Sequence, residues 1–294
     1  MGFDEAMSYS FIQAAFDGVF TAVPAVGSQP ITLQAAVIDG AVRMRQTMLP
    51  GLLDAVRNNF NHQRRNIKLF EIGRVFAASA NEPADERELI AIVMTGTDES
   101  EGRLAAGREV DFYDLKGAVE TIFTAAGIGN VSFSAGDVVH LRRGQAAVVE
   151  VNGIPVGYLG KIKQEIADDY KFKQAVYVAE IDLQTVLAQK AAAVNYRPLP
   201  RFPAVVRDVS LITKRSLPFT DITDAVRSIA GELFRSVAFV DIYEGKGIAA
   251  DERSLTIRLE YRSDDRTLTE DEVNAEHERI ISGLESRLGI KPRF

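Results

Sequence analysis

The chain contains no cysteine, which excludes disulfides, thiolate metal sites and a cysteine nucleophile. Histidine is scarce. His62, His140 and His277 are too widely spaced to form a ligand set, and they read as surface or packing residues. No apolar run reaches the roughly 18 residues of a membrane-spanning helix. Met1-Gly2-Phe3-Asp4-Glu5 is acidic where a signal peptide would be basic and then apolar. A soluble, cytoplasmic protein is therefore expected, with neither membrane nor DNA as partner. Positive charge is also in short supply. A net charge of −7 argues against a broad basic surface that coats nucleic acid, although a local RNA contact on one face stays open.

What is present is ordinary globular material, with 46% hydrophobic and 26% charged residues, so disorder is not expected. A length of 294 residues favours two domains. The pattern breaks between Ala191 and Pro203, where Asn195, Pro198, Pro200 and Pro203 make a stiff, irregular crossing. The expected domains are 1–193 and 199–294.

In the first domain, residues 3–11 read as a helix and strand entered midway, without a leading cap. Val42, Met44 and Gln46 alternate with Arg43, Arg45 and Thr47, as in a short strand. Leu49, Leu52, Leu53, Val56 and Phe60 then form one apolar stripe of a helix that opens on Pro50. Lys68 to Phe76 reads as a strand whose Gly73 marks a bulge or a close backbone approach. A polar loop spans Ala77 to Arg87, and Leu89 to Met94 is a continuous apolar run, a buried strand. Asp111 to Ala126 reads as a helix with Tyr113, Leu115, Val119, Ile122 and Phe123 on its apolar side. Asn152-Gly153 between two apolar runs is a hairpin signal, and Val176 to Asp182 is one more strand.

The second domain reads as strand (Val205–Thr213), helix (Phe219–Ala230), strand (Val237–Tyr243), strand (Ser254–Arg262) and helix (Glu270–Leu288). Ile290 to Phe294 is left for a final strand. This order is that of a split βαβ sandwich, which covers one sheet face with helices and leaves the other free. Alternation along strands assigns Leu255, Ile257, Leu259 and Tyr261 to the core. Ser254, Thr256, Arg258, Glu260 and Arg262 then face solvent. The same rule sends Asp208, Ser210 and Ile212 outward, with Val209 and Leu211 inward. On the middle strand it places Ala238, Val240 and Ile242 in the core, and Phe239 and Tyr243 on the open side. Rings, small hydroxyls and arginine together suit single-stranded RNA. The same residues also suit plain packing and cross-strand charge pairing.

Pro200-x-Phe202-Pro203, Arg207-Asp208-Val209-Ser210, Asp241-x-Tyr243-x-Gly245, Ser254-Leu255 and Arg266-Thr267-Leu268-Thr269 together resemble the ferredoxin-fold anticodon-binding domain of bacterial phenylalanine–tRNA ligase β subunits. Upstream, Met48-Leu49-Pro50-Gly51-Leu52-Leu53 and Leu69-Phe70-Glu71-Ile72-Gly73-Arg74-Val75-Phe76 are similar to the catalytic-like core of the same subunit. The resemblance covers nearly the whole chain, and the fold it implies is α+β. A non-catalytic, class II synthetase-like antiparallel sheet core is followed by a βαββαβ anticodon-binding domain.

The resemblance also implies the partners, an α subunit in an (αβ)₂ assembly and tRNA(Phe). ATP and Mg²⁺ belong to the whole enzyme, with no cofactor expected in this part. Consistent with that, no Phe-Arg-x-Glu follows Arg74-Val75-Phe76, and no Gly-x-Gly-x-x-Arg occurs in the first domain. The Leu49–Phe60 helix and the first-domain sheet would serve the α interface. Family β subunits are much longer, so the chain reads as a C-terminal part. Where the family carries Asn-Pro, this chain has Ile38-Asp39-Gly40-Ala41. The implied RNA-binding residues are Ser210, Tyr243 and Ser254, with Tyr243 stacking on a base, and Arg258 joins them from the open face given by alternation. Arg207 and Asp208 are expected to pair structurally rather than to contact RNA directly. A ferredoxin-like module binding a small metabolite is the alternative from fold alone.

Overall fold

The computed structural model describes residues 1–24, 26–27, 29–79, 84–98, 107–189, 196 and 198–293. Parts of the polar loop (80–83) and of the irregular crossing (190–195 and 197), together with Phe294, lie outside the described residues. Backbone contacts divide the chain into two compact units, Met1–Val194 and Asn195–Phe294.

The first unit is built on a seven-stranded sheet. Its elements in chain order are β1 (Asp4–Glu5), β2 (Phe11–Ile12), β3 (Arg43–Met44), α1 (Leu49–Asn61), β4 (Ile67–Ala77), β5 (Asp85–Thr95), α2 (Phe112–Ala125), β6 (Val131–Ala135), β7 (Leu141–Val151), β8 (Ile154–Ile162), α3 (Gln164–Asp169), β9 (Val176–Asp182) and α4 (Leu183–Ala188). The strand order is β1-β4-β5-β9-β8-β7-β6. Every pairing is antiparallel except β1 with β4. β2 and β3 form a separate pair.

Strand β5 shows why its sequence lacks alternation. Leu89, Ala91 and Val93 pack into one core with α1, while Ile90, Ile92 and Met94 pack into another with α2. A strand buried on both faces reads as a continuous apolar run. The whole predicted stripe of α1 is buried. On α2, Leu115, Val119 and Phe123 are buried, but Tyr113 is 75% exposed. It follows the capping residue Asp111, whose carboxylate accepts from the Tyr113 and Asp114 backbone N–H groups. Its first-turn neighbours Phe112 and Leu115 pack on the second core, so Tyr113 is the residue turned away from it. Asn152 and Gly153 both take positive φ, as a tight hairpin between β7 and β8 requires. The strand read over residues 42–47 shrinks to Arg43–Met44, because Arg45 and Thr47 turn inward onto buried acids.

The second unit runs β10 (Val205–Lys214), α5 (Phe219–Ile229), β11 (Phe234–Tyr243), β12 (Glu252–Tyr261), α6 (Glu270–Leu288) and β13 (Lys291–Arg293). The sheet order is β11-β12-β10-β13, all antiparallel. This is the βαββαβ ferredoxin-like arrangement. Residues 291–293 do form the fourth strand, paired with Ser210 to Ile212. Thr269 and Glu272 make a reciprocal capping box at the start of α6. Leu211, Leu255, Ile257, Leu259 and Tyr261 pack with Ile222, Val226, Val273, Ile280 and Leu284 of the two helices. The opposite sheet face carries no helix among the described residues.

Candidate nucleic-acid interface

In an antiparallel ladder, residues directly opposite one another share a face. The uncovered face can therefore be read row by row. Ser236 lies opposite Glu260, Ala238 opposite Arg258 and Asp208, Asp241 opposite Thr256 and Ser210, and Tyr243 opposite Ser254 and Ile212. Strand β13 extends the last two rows, with Arg293 beside Ser210 and Lys291 beside Ile212. The register brings Ser210, Tyr243, Ser254 and Arg258 to one face.

The middle strand departs from simple alternation. Between Phe239 and Asp241 the ladder advances two residues on β11 against one on β12, a β-bulge. The extra residue, Val240, reverses the parity from Phe239 back to Ser236, and a second bulge between Phe234 and Ser236 restores it at Phe234. Phe239 therefore shares the face of Ile257 and meets the helix residue Phe219, with ring centroids 6.0 Å apart. Ala238 faces outward opposite Arg258. Both assignments invert those drawn from an unbroken period of two, whereas Tyr243, beyond the bulge, keeps its open-side place.

The four predicted positions differ in what they can offer. Tyr243 is 43% exposed, and its hydroxyl lies 3.5 Å from the Lys246 carbonyl. Its ring packs so closely on Gly245 that a Cβ there would overlap the phenol. That glycine is thus needed for close approach, beyond any turn flexibility. The Arg293 guanidinium carbon stands 4.9 Å from the Tyr243 ring centroid. Ser210 Oγ is 2.9 Å from Thr256 Oγ1, both half-buried.

Ser254 is not solvent-facing. It is only 2% exposed, because the larger Tyr243 and Ile212 flank it on both ladders. It can support the ring but presents little surface of its own.

Arg258 makes a two-pronged pair with Asp208, Nε to Oδ1 and Nη2 to Oδ2, each at 2.7 Å. Those hydrogen bonds hold the Asp208 carboxyl below its ordinary range. Arg207 and Asp208 have different partners, since neighbours in a strand point to opposite faces. Arg207 instead approaches Glu270 at 3.7 Å.

Sequence reading missed Arg293, Lys291 and Lys246. Among the described residues, none of the three lies in ion-pairing range of a carboxylate, whereas Lys214, Arg215 and Arg258 are all paired. Of the three, Arg293 stands over the Tyr243 ring; Arg253 and Arg287 also lack an ion pair among the described residues but are engaged by the Leu217 carbonyl and Ser228 Oγ. Only the register of β13 against β10 reveals the place of Arg293, because residues 290–294 carry no pattern of their own.

The buried acidic groups of the first unit, Glu71, Glu180 and Asp182, are already committed. Glu71 accepts from Arg45 at 2.8 Å and from Ser8 Oγ at 2.7 Å. A side chain at Gly73 would overlap that same guanidinium, so Gly73 marks a close approach. Glu180 accepts from the Met48 backbone N–H at 2.7 Å at the start of α1, and Thr47 Oγ1 and the Tyr158 hydroxyl lie within 3.0 Å of its carboxyl. Burial raises its pKa against the pull of these bonds and of Arg45. Asp182 caps α4 through the Thr185 backbone N–H. Such a donor set does not fit a Mg²⁺–ATP site: its oxygens are buried and engaged, and the described residues hold no group of three or more acids or histidines suited to a metal.

Comparison with known proteins agrees with this two-part organisation. A family described as "Phenylalanyl tRNA synthetase beta chain CLM domain" matches residues 1–183. A "Ferredoxin-fold anticodon binding domain" matches residues 200–293. The phenylalanine–tRNA ligase β subunit of Carboxydothermus hydrogenoformans is 32% identical over 100% of this chain and 37% of its own length. That of Thermotoga maritima is 32% identical over 100% and 36%, and that of Pseudomonas putida 35% over 99% and 36%. The chain thus spans little more than a third of the length of these curated relatives. A pyrrolysyl tRNA synthetase of Desulfitobacterium hafniense is similar over 63% of this chain and 60% of its own, at 16% identity and a TM-score of 0.47, too distant to argue from. On the two family matches and a similarity to these relatives that runs along the whole of this chain, it belongs to the phenylalanyl-tRNA synthetase β-chain family.

Proposed function

We propose that this chain acts as the C-terminal part of a phenylalanine–tRNA ligase β subunit, binding the anticodon region of tRNA(Phe) on the open face of its second unit. The first unit supports a catalytic α subunit without catalysing a step itself. In the whole enzyme the chemistry is ATP-dependent attachment of phenylalanine to tRNA, with Mg²⁺. The cytoplasm is where such a protein would work; no described helix is long and apolar enough to cross a membrane.

One observation carries the RNA reading. A half-exposed tyrosine, a hydroxyl pair and unpaired cations share one uncovered sheet face in a domain whose family description names anticodon binding. Unstacked bases are read by this combination of stacking surface, hydroxyl and positive charge. Tyr243 supplies the stacking platform, Ser210 a small hydroxyl beside it, and Ser254 the floor beneath the ring. Arg258 contributes charge that Asp208 offsets. Filter binding of the full chain to a tRNA(Phe) transcript tests this. Base stacking is worth about 1–3 kcal/mol, so Tyr243→Ala is expected to weaken binding roughly 5- to 150-fold. An unchanged Kd removes Tyr243 from the interface.

A further inference from the structure

Arg57 to Asn66 reads Arg-Asn-Asn-Phe-Asn-His-Gln-Arg-Arg-Asn, a stretch without an acid in a chain of net charge −7. It covers the end of α1 and the turn that follows. Phe60 is buried, and every residue from Asn61 to Asn66 is exposed. The turn after α3 repeats this composition with Tyr170-Lys171-Phe172-Lys173-Gln174, in which Lys171 and Lys173 are exposed. The two turns lie side by side in the first unit. The Phe60 and Phe172 rings meet edge to face at 5.4 Å, and Gln174 Nε2 donates to the Arg65 carbonyl at 2.7 Å. Both turns close alike, the Arg64 N–H on the Asn59 carbonyl and the Phe172 N–H on the Ala167 carbonyl, through a residue of positive φ. Glycine is the usual residue there, but the chain carries Gln63 and Lys171.

Arg57 pairs with Asp54 at 2.7 Å, whereas Arg64, Arg65, Lys171 and Lys173 make no ion pair among the described residues. The exposed acids beside them are Asp168 and Asp169. The ends of α1 and α3 add about one further unit of negative charge between them, so the four cations still prevail. Rings rather than carboxylates order this surface. The Arg65 guanidinium carbon stands 5.1 Å from the Phe60 centroid and that of Arg57 5.5 Å from the Tyr170 centroid. Tyr170 stacks on Phe172 at 5.3 Å. With its face on a ring, Arg65 turns its N–H edge to solvent.

We propose that Arg64, Arg65, Lys171 and Lys173, with the amides of Asn61 and Gln63 among them, form a second RNA contact that grips the phosphate backbone of tRNA. It rests on the reading that this chain binds tRNA, and it lies on the first unit, apart from the open sheet face of the second. Phosphate and sugar oxygens are met by Arg, Lys, Asn and Gln side chains, which position an RNA without reading its bases. Those groups are what the two turns expose. A protein partner would need apolar anchors at the centre of the surface, and here Phe60, Tyr170 and Phe172 are all buried. The surface therefore contributes affinity and placement, and leaves base recognition to the second unit.

The test is filter binding of the full chain to a tRNA(Phe) transcript across a salt series. Two double variants are compared with Tyr243→Ala: Arg64→Gln with Arg65→Gln, and Lys171→Gln with Lys173→Gln. All four side chains are exposed, and the lysine pair leaves the ring contacts untouched. Urea unfolding of each variant checks the fold. Losing two phosphate contacts is expected to flatten the salt slope by about 1.5, so a roughly tenfold deficit at about 50 mM salt nearly closes by about 200 mM. Tyr243→Ala removes a stacking contact and is expected to keep the parental slope. Parental affinity and slope in both double variants would overturn the second contact and leave the open-face reading standing. Weaker binding at an unchanged slope, or a fall in the unfolding midpoint that accounts for it, would assign these cations to holding the helix ends and likewise overturn it. Weaker binding and a flatter slope in the double variants, with Tyr243→Ala binding like the parent, would support this contact and remove the open-face one. A parent chain that does not bind the transcript removes both.

Discussion

His140 makes the first unit sensitive to acid, and the size of the effect can be worked from its surroundings. The ring is fully buried between Phe20 and Tyr158, with centroids at 5.5 and 4.8 Å. Its Nδ1 accepts the Thr21 backbone N–H at 3.2 Å, and its Nε2 has no hydrogen-bond partner. The acceptor role of Nδ1 places the single proton of the neutral ring on Nε2. A second proton would have to sit on Nδ1, facing the Thr21 donor. Burial is the larger obstacle, and the nearby Lys163 charge adds to it; together they push the pKa down to about 3.

A histidine whose folded pKa lies below its unfolded value of about 6.5 contributes stability that is fully present above that pH. The contribution is lost as pH falls from about 6.5 towards 3. At pH 5 the loss is about 2 kcal/mol relative to pH 7.5, from 1.36 kcal/mol per pH unit over roughly 1.5 units. The assay is urea unfolding read by hydrogen exchange in the β5 and β8 segments, which report on the first unit alone. His140→Gln keeps an acceptor for Thr21 but does not titrate. Comparing parent and variant at pH 7.5 and 5 cancels every other titrating group, Glu180 included. The parent should lose about 2 kcal/mol more than the variant across that interval. Equal losses would refute the buried, neutral assignment.

Two buried acids are expected to respond unequally to the same change. Glu71→Gln leaves the Arg45 guanidinium buried without its counter-charge and should cost about 3–5 kcal/mol in urea unfolding of the first unit. Glu180→Gln should cost less than Glu71→Gln, because burial raises the Glu180 pKa and so works against its charged form. The Tyr158 hydroxyl has one proton for two acceptors, Glu180 and the Thr21 carbonyl. A proton on Glu180, or an amide donor in its place, removes that shortage. A loss above about 2 kcal/mol in Glu180→Gln would show that the buried group is ionised.

Much of the fold was legible because its signals are local. The α1 stripe, the Asn152-Gly153 turn and the Thr269 cap each depend on residues within a turn or two of one another. The candidate interface was legible only in part. Ser210 and Tyr243 followed from alternation, but one inserted residue at Val240 reversed Phe239 and Ala238, and nothing in the local sequence marks a bulge there. The pairing of Arg258 with Asp208, and the reach of Arg293 over Tyr243, join residues 50 apart in the chain. Such contacts come from register between strands. Short edge strands such as β13 and β6 carry too few residues to show a period, so the strand that supplies Arg293 was the hardest to read.

Footprinting tests the central claim most directly. A tRNA(Phe) transcript would be exposed to hydroxyl radicals with and without the full chain, and again with the Tyr243→Ala variant. The proposed interface predicts protection centred on the anticodon loop and its loss in the variant. Protection confined to the acceptor stem or elbow, or an anticodon footprint untouched by the substitution, would contradict it.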